Sequence, residues 1–504
     1  MIEIMDTTLR DGEQTTGVSF AADEKLSVAQ VLLSEVGVDR IEVASARVSE
    51  GELESVRKLA SWADKAGYLG ALEVLGFVDG DISICWVAST GCKTLNLLSK
   101  GSYRHVTEQL HKTPGQHFED IRRTVEQAER KGLVVNIYLE DWSNGMKNSP
   151  EYVFEMMESL KDLSIRRYML PDTLGILNPD ETYLFCRRMT EGYPEKHFDF
   201  HAHNDYDLAV GNVFSALRAG VKGIHTTVNG LGERAGNAPL SSVAALIKDH
   251  AGEESHLRED RINGISRLVE TYSGIRLPPN KPVVGEYVFT QCAGVHADGD
   301  SKGNLYYNDL LPERFGRVRE YALGKNSGKA NIKKNLETLG IDLDEESMRR
   351  VTDRIIELGD KKEIVTPEDL PYIISDVLHH ETQGNNKVRI LNYSLSLAQG
   401  LRPMATVKIE IEGRAYEESS SGDGQYDAFV RAVRKIYAGL ERPFPALTNY
   451  SVSIPPGGRT DALVQTLISW RHKGQDFKTR GLDADQMEAA IKATLKMLNK
   501  VCEG

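Results

Sequence analysis

His201-Ala202-His203-Asn204-Asp205 is the sharpest local pattern in the chain. Side chains alternate along an extended strand, so His201 and His203 share one face, about 6.6 Å apart. Two imidazoles so placed can grip one divalent metal ion; otherwise they are polar residues at a strand end, bonded to water. Leu9-Arg10-Asp11-Gly12-Glu13-Gln14 offers Asp11, whose carboxylate could reach the same ion. Arg10 beside it could hold a carboxylate substrate through paired hydrogen bonds. The plainer alternative is an exposed Arg–Asp pair in a loop. Gly230-Leu231-Gly232-Glu233-Arg234-Ala235-Gly236-Asn237 offers Asn237, whose amide oxygen could be a fourth ligand, or is an ordinary glycine-rich turn. One Asp, two His and an Asn form a mixed nitrogen–oxygen set that suits Mn2+, Mg2+ or Zn2+ without separating them.

Other candidates are weaker. Tyr138 and Glu140 share a strand face in Tyr138-Leu139-Glu140. Near a cation Glu140 could work as an acid, a base or an orienting group; otherwise it is a salt-bridged strand end. Thr173 in Pro171-Asp172-Thr173 could bond a substrate carboxylate, or belong to a helix N-cap before Leu174. By spacing alone His296, Tyr307 and Cys292 read as structural, as do His105, His111, His117, His197, His225, His379 and His380.

These residues need a frame. Apolar runs at 2–6, 40–44, 68–76, 93–98, 133–140, 165–170, 198–203 and 223–228 read as strands. Helical spacing lies between them, at 23–36, 49–66, 118–131, 150–160, 179–191 and 207–219. Such alternation implies crossover units and a parallel sheet. Eight units in 250 residues suit an α/β fold of the (β/α)8 TIM-barrel kind, whose sites lie at the C-terminal strand ends. There the His pair ends strand seven, Arg10-Asp11 follows strand one and Asn237 follows strand eight. Strands eight and one are neighbours in a closed barrel. An open doubly wound sheet is the competing fold, but no Gly-x-Gly-x-x-Gly follows the first strand.

The expected barrel domain is 1–255. Pro278, Pro279 and Pro282 then interrupt the chain, and 256–385 reads as a linker with small helical subdomains ending at Gln383-Gly384-Asn385-Asn386. Residues 386–504 read as an α+β domain in which a βββα pattern occurs twice.

Composition removes other classes. The 504 residues carry 61 Lys+Arg and 74 Asp+Glu, a net charge of −13, which argues against nucleic acid as the main partner. No run of 18 apolar residues suggests a membrane span, and the N-terminus lacks the basic and apolar regions of a signal peptide. Five cysteines, at 85, 92, 186, 292 and 502, form no Cys-x-x-Cys pair, so a reduced, cytoplasmic protein is expected.

The three glycine- and histidine-bearing stretches, with Lys25 following the first, together resemble the motifs of the 2-isopropylmalate, homocitrate and citramalate synthase family. The resemblance runs over essentially the whole chain. Asp207 departs from it, standing where the second motif usually carries Gly. The resemblance implies a metal-dependent Claisen-type condensation of acetyl-CoA with a 2-oxo acid, followed by thioester hydrolysis. It implies a metal on Asp11, His201 and His203, with Asn237 as the possible fourth ligand. Arg10 and Thr173 would hold the substrate, and Glu140, His296 and Tyr307 would share the base and hydrolytic roles. It also implies a homodimer, the His and Tyr often coming from the partner subunit. The C-terminal domain would be regulatory, binding a branched-chain end product; Gly422-Asp423-Gly424 and Pro455-Pro456-Gly457-Gly458 are candidate loops for it.

The stretches around Leu75, Leu98, Tyr138 and His296 are most similar to the citramalate synthases. There the residues matching Leu75, Leu98 and Tyr138 crowd the substrate methyl, which favours pyruvate over 2-oxoisovalerate. Isoleucine would be the matching feedback ligand, and leucine that of the isopropylmalate alternative. A retro-condensing acyl-CoA lyase would want a cysteine in the loop at 232–237, where there is none. An amino-acid sensor with an inactive barrel is the alternative from another class.

Overall fold

The computed structural model describes residues 1–303, 305–306, 308–360, 365, 367–378, 387–453, 464–483 and 485–502. Its contacts divide the chain into two compact units: Met1–Thr290 with Tyr307–Glu320, and Gln291–Tyr306 with Tyr321–Gly504.

The first unit holds eight strands: β1 (Glu3–Asp6), β2 (Arg40–Ser45), β3 (Leu72–Phe77), β4 (Thr94–Lys100), β5 (Val134–Glu140), β6 (Ile165–Asp172), β7 (Phe198–Ala202) and β8 (Gly223–Thr226). They pair in parallel and in chain order, and β8 closes on β1 through Glu3 opposite Gly223 and Asp6 opposite Thr226. The expected TIM barrel is the fold. Most of the apolar core lies between this barrel and its helices, where Ile4, Ile41, Val74, Leu97, Ile137, Leu170 and Ile224 are fully or almost fully buried.

Helix starts follow local chemistry. Ser49 caps Glu50–Ala66 by accepting a 3.1 Å hydrogen bond from the Glu52 amide. Thr113 and Gln116 form a reciprocal capping box with Pro114 in the first turn, so that helix runs Pro114–Arg130 and begins four residues before the expected Phe118. The third strand begins later than its apolar run, because Leu69–Ala71 closes a 3-10 turn first. The first helix is α-helical over Ala22–Gln30 and widens into a π turn over Val31–Val36.

The barrel interior departs from the usual filling of branched apolar side chains. Arg40, 4% exposed, reaches across it to Glu73 (3.0 Å) and Asp199 (2.6 Å). Arg167 pairs with Glu3. Above them Asn96 donates to Glu42 (2.7 Å) and Asn136 to Asn96 (2.8 Å). Against this polar wall stands a separate apolar cluster of Met5, Leu75, Tyr138 and Met169, with Leu98 at its margin.

One buried imidazole makes stability pH-dependent. His117 accepts the Lys100 amide through Nε2 at 3.1 Å, and burial pulls its pKa from 6.5 to about 4. The unfolded chain binds this proton more readily, so the contribution is complete above pH 6.5 and lost as pH falls through 4. The urea midpoint should therefore fall between pH 6.5 and 4, and fall less steeply in His117→Gln; equal slopes would exclude His117 as the cause.

The second unit includes helices Gly294–Ser301, Lys329–Leu339, Glu345–Asp360 and Leu370–Leu378. Two antiparallel three-stranded sheets follow, each leading into a helix. The first is Val388–Ser396, Met404–Ile411 and Arg414–Ser421 before Gln425–Gly439. The second is Ala446–Ser453, Val464–His472 and Gln475–Asp483 before Gln486–Cys502. Val407, Ile409, Phe429, Val433, Ile468 and Trp470 build their common core. The boundary residues 383–386 and the 455–458 loop lie outside the described residues. Among the described residues no helix is long and apolar enough to cross a membrane.

Candidate active site

The loop after β1 is fixed before any ligand arrives. Arg10, Asp11 and Gly12 all direct their amides at the Thr7 carbonyl (3.1, 2.8 and 3.1 Å). Lys25, fully buried, ties the loop from below through Glu13 (2.7 Å), Glu52 (2.5 Å) and the Leu9 carbonyl (3.3 Å). Thr15 exchanges hydrogen bonds with Gly232 in the loop after β8 (2.8 and 3.1 Å). Arg234 forks onto Asp205 (2.7 and 2.9 Å) and donates to the Thr173 carbonyl (2.8 Å), joining the loops after β6, β7 and β8. The last of these folds so tightly that a Cβ on Gly236, at φ +81°, would stand 1.9 Å from the Gly230 carbonyl.

On this frame Asp11, His201 and His203 converge, their donor atoms all within 4.8 Å of one another. His201 Nε2 lies 3.0 Å from Asp11 Oδ2 and 3.3 Å from His203 Nε2. All three are at least 93% buried, Asp11 being only 1% exposed. Burial raises the Asp11 pKa, but Arg10, His201 and His203 together drive it well below the usual carboxylate range. Burial, with His201 beside it, lowers His203 to about 4, leaving its ring neutral and its lone pair available at neutral pH. Asp11 Oδ1 is buried without a hydrogen-bond partner. An unpartnered carboxylate oxygen beside two imidazole nitrogens is the donor set a divalent cation takes, so these residues fit one. Asn237 Nδ2 donates to Asp11 Oδ2 at 2.9 Å and lies 3.4 Å from His201 Nε2. Its Oδ1 is buried and unpartnered. A fourth-ligand role needs the amide turned over, a choice that hydrogen-bond networks rather than heavy atoms decide.

The remaining candidates divide. Arg10 joins the cluster, 3.5 Å from Asp11 and 2.5 Å from Glu42, with its guanidinium 5.9 Å from the centre of the Tyr138 ring. Leu75, Leu98 and Tyr138 meet in the apolar cluster, and the Tyr138 ring lies edge-on to His201 at 6.1 Å. Thr173 accepts the Asp141 amide at 2.9 Å, which leaves its own proton free to donate. The helix cap that was its alternative role belongs to Asn178, since the next helix begins only at Pro179; Asp172 instead holds the intervening turn by accepting the amides of Ile176 (3.0 Å) and Leu177 (3.1 Å). Glu140, at the end of β5, is paired with Lys100. His296 belongs to the second unit, where its ring lies 4.2 Å from that of Tyr306. Tyr307 lies outside the described residues.

Glu42, which the sequence reading passed over, and His225, which it left as structural, belong to the barrel's polar interior. Glu42 binds Arg10 and Asn96. His225 lies between Tyr138 (3.2 Å) and Asp199 (3.0 Å), and burial holds it neutral with a pKa of about 3. The available signal was the alternation Arg40-x-Glu42, charged groups two residues apart inside one strand; His225 has no such companion, Gly223 standing two residues before it.

Comparison with known proteins agrees with the fold. The HMGL-like family matches residues 1–269, the homocitrate synthase post-HMGL domain-like family 283–363, and the LeuA allosteric (dimerisation) domain 364–502. A CimA protein of Methanopyrus kandleri is 34% identical over 503 residues, 99% of this chain and 96% of its own. The (R)-citramalate synthase CimA of Methanocaldococcus jannaschii is 32% identical over 502 residues, 99% of each chain. The 2-isopropylmalate synthase of the same organism is 30% identical over 504 residues, 99% of this chain and 94% of its own. The chain belongs to the family of the 2-isopropylmalate and citramalate synthases, acyltransferases that condense acetyl-CoA with 2-oxo acids. Identities of 32% and 30% to the two kinds leave the choice of oxo acid to the pocket.

Proposed function

We propose that this chain condenses acetyl-CoA with pyruvate and hydrolyses the product thioester, releasing (R)-citramalate and CoA at the entry to isoleucine synthesis. The observation that carries this reading is Tyr138. Its ring is 2% exposed, packed with Met5, Leu75 and Met169, and stands edge-on to His201. Leu98 flanks it. Beside the cluster that would hold the ketone, this ring fills the space a branched chain would need. An isopropyl group would have to displace it, which outweighs the ~1–3 kcal/mol gained per methylene in an apolar pocket.

A divalent cation on Asp11, His201 and His203, with Asn237 turned to join them, would supply Lewis acidity at the ketone. The chain's own groups do the rest. Arg10 offers positive charge where the alkoxide develops. The free Thr173 hydroxyl donates to the substrate carboxylate. Glu140, His296 and Tyr307 share removal of the acetyl methyl proton and activation of water. The working form is a cytoplasmic homodimer, which the match to a dimerisation domain supports. A branched-chain amino acid, isoleucine on this reading, is its feedback ligand.

The test is CoA release from acetyl-CoA with Mn2+, comparing pyruvate with 2-oxoisovalerate. A kcat/KM at least tenfold higher for pyruvate is expected. A preference for 2-oxoisovalerate would make the chain a 2-isopropylmalate synthase of the leucine route. No CoA release with any oxo acid would favour the sensor.

A further inference from the structure

We propose that His225, held by Asp199, is a positioning residue that fixes the Tyr138 phenol and so sets the width of the oxo-acid pocket. The inference rests on the reading that Tyr138 bounds that pocket. His225 is 1% exposed on β8 and Asp199 fully buried on β7. Asp199 Oδ2 accepts from Arg40 Nη2 at 2.6 Å and lies 3.0 Å from His225 Nε2. A carboxylate only accepts, so Nε2, facing Asp199, carries the hydrogen, and Nδ1, facing a hydroxyl that has a proton to give, is the acceptor. The Tyr138 hydroxyl lies 3.2 Å from that Nδ1 and donates to it. Its other neighbour, Glu42 Oε2, is 3.5 Å away and already taken by Arg10 at 2.5 Å. The phenol therefore has one strong tether, and it leads to His225.

Packing alone would hold this ring loosely. Met5 and Met169 are among its neighbours, and thioether chains re-form readily around a moved group. The tether is in turn built into the barrel floor. A Cβ on Gly223 would lie 1.9 Å from Asp199 Oδ1, so only glycine there leaves room for the carboxylate. His225 touches neither the acetyl group nor the oxo acid on this reading; it acts through Tyr138.

The test compares kcat/KM for pyruvate and 2-oxobutanoate in Tyr138→Phe, His225→Phe, the double variant, and Gly223→Ala with and without Tyr138→Phe. His225→Phe keeps a ring in place, and Asp199 retains Arg40, with His197 Nε2 3.0 Å away. Each of the three single variants should lower the pyruvate preference two- to tenfold, the worth of one buried hydrogen bond. The double variant should shift it no further than the larger single, and Gly223→Ala should be silent once the hydroxyl is gone. Loss of general structural support would lower turnover with both acids and leave their ratio unchanged. An unchanged ratio in His225→Phe and Gly223→Ala, or additive shifts, would overturn the proposal. Should His225→Phe not fold, Gly223→Ala in the two backgrounds decides. If Tyr138→Ala itself leaves the ratio unchanged, the pocket reading fails, and this inference with it.

Discussion

An Asp11→Ala enzyme should lose at least a thousandfold in kcat/KM for CoA release while keeping its fold. Asp11 is the one carboxylate in the cluster with the two imidazoles, and its Oδ1 is buried and unpartnered. Without it, two imidazoles and an amide remain to hold a dication. Losing that Lewis acidity removes several kcal/mol of barrier lowering, and ~4 kcal/mol is roughly a thousandfold. The fold should survive, because Arg10 keeps Glu42 at 2.5 Å and no charge is stranded. Calorimetric titration with Mn2+ separates the causes: the parent should bind and the variant should not. Turnover within tenfold of the parent would remove Asp11 from the metal set. His203→Ala should behave alike.

Widening the pocket should have the next largest effect. Tyr138→Ala empties the space beside Leu75 and Leu98, and should raise the kcat/KM ratio of 2-oxoisovalerate to pyruvate by about thirtyfold, roughly 2 kcal/mol of relieved clash. Removing a buried ring costs about 3–5 kcal/mol of stability, so the comparison belongs well below the variant's melting temperature. A ratio that does not move would show that the phenol does not bound the oxo acid.

The barrel was legible because each strand–helix unit announces itself locally: apolar runs of strand length, then Ser49, Thr113 or Asn178 at a helix start. Strand edges were less so. Tyr68–Ala71 is apolar enough to extend a strand, yet it turns, and an apolar run carries no sign of where extended backbone begins. Asp11 follows the first strand and His201 and His203 end the seventh, two strand ends that a closed barrel brings to one face, so their convergence could be inferred. Glu42 and His225 could not be read the same way. Inside a strand a lone charged residue looks like a satisfied core group until its partners on other strands are known, and Asn96, Tyr138 and Asp199 come from three of them. Asp207 gives the opposite case. It adopts φ +58°, the left-handed region that glycine takes freely, and Asn204 donates to its carboxylate at 3.1 Å. The departure from the family motif thus sits where backbone conformation set the preference; aspartate tolerates it through local hydrogen bonding.

The charged lining of the barrel bears on order of addition. Three guanidiniums, of Arg10, Arg40 and Arg167, face five carboxylates, of Glu3, Asp11, Glu42, Glu73 and Asp199, a formal charge of −2. A dication at Asp11 brings that sum to zero. A 2-oxo acid arriving first meets a net negative lumen, and one arriving after the ion meets a neutral one. Cation before anion is thus the sequence this interior favours, and initial-rate patterns should show the oxo acid competing poorly for enzyme stripped of its metal.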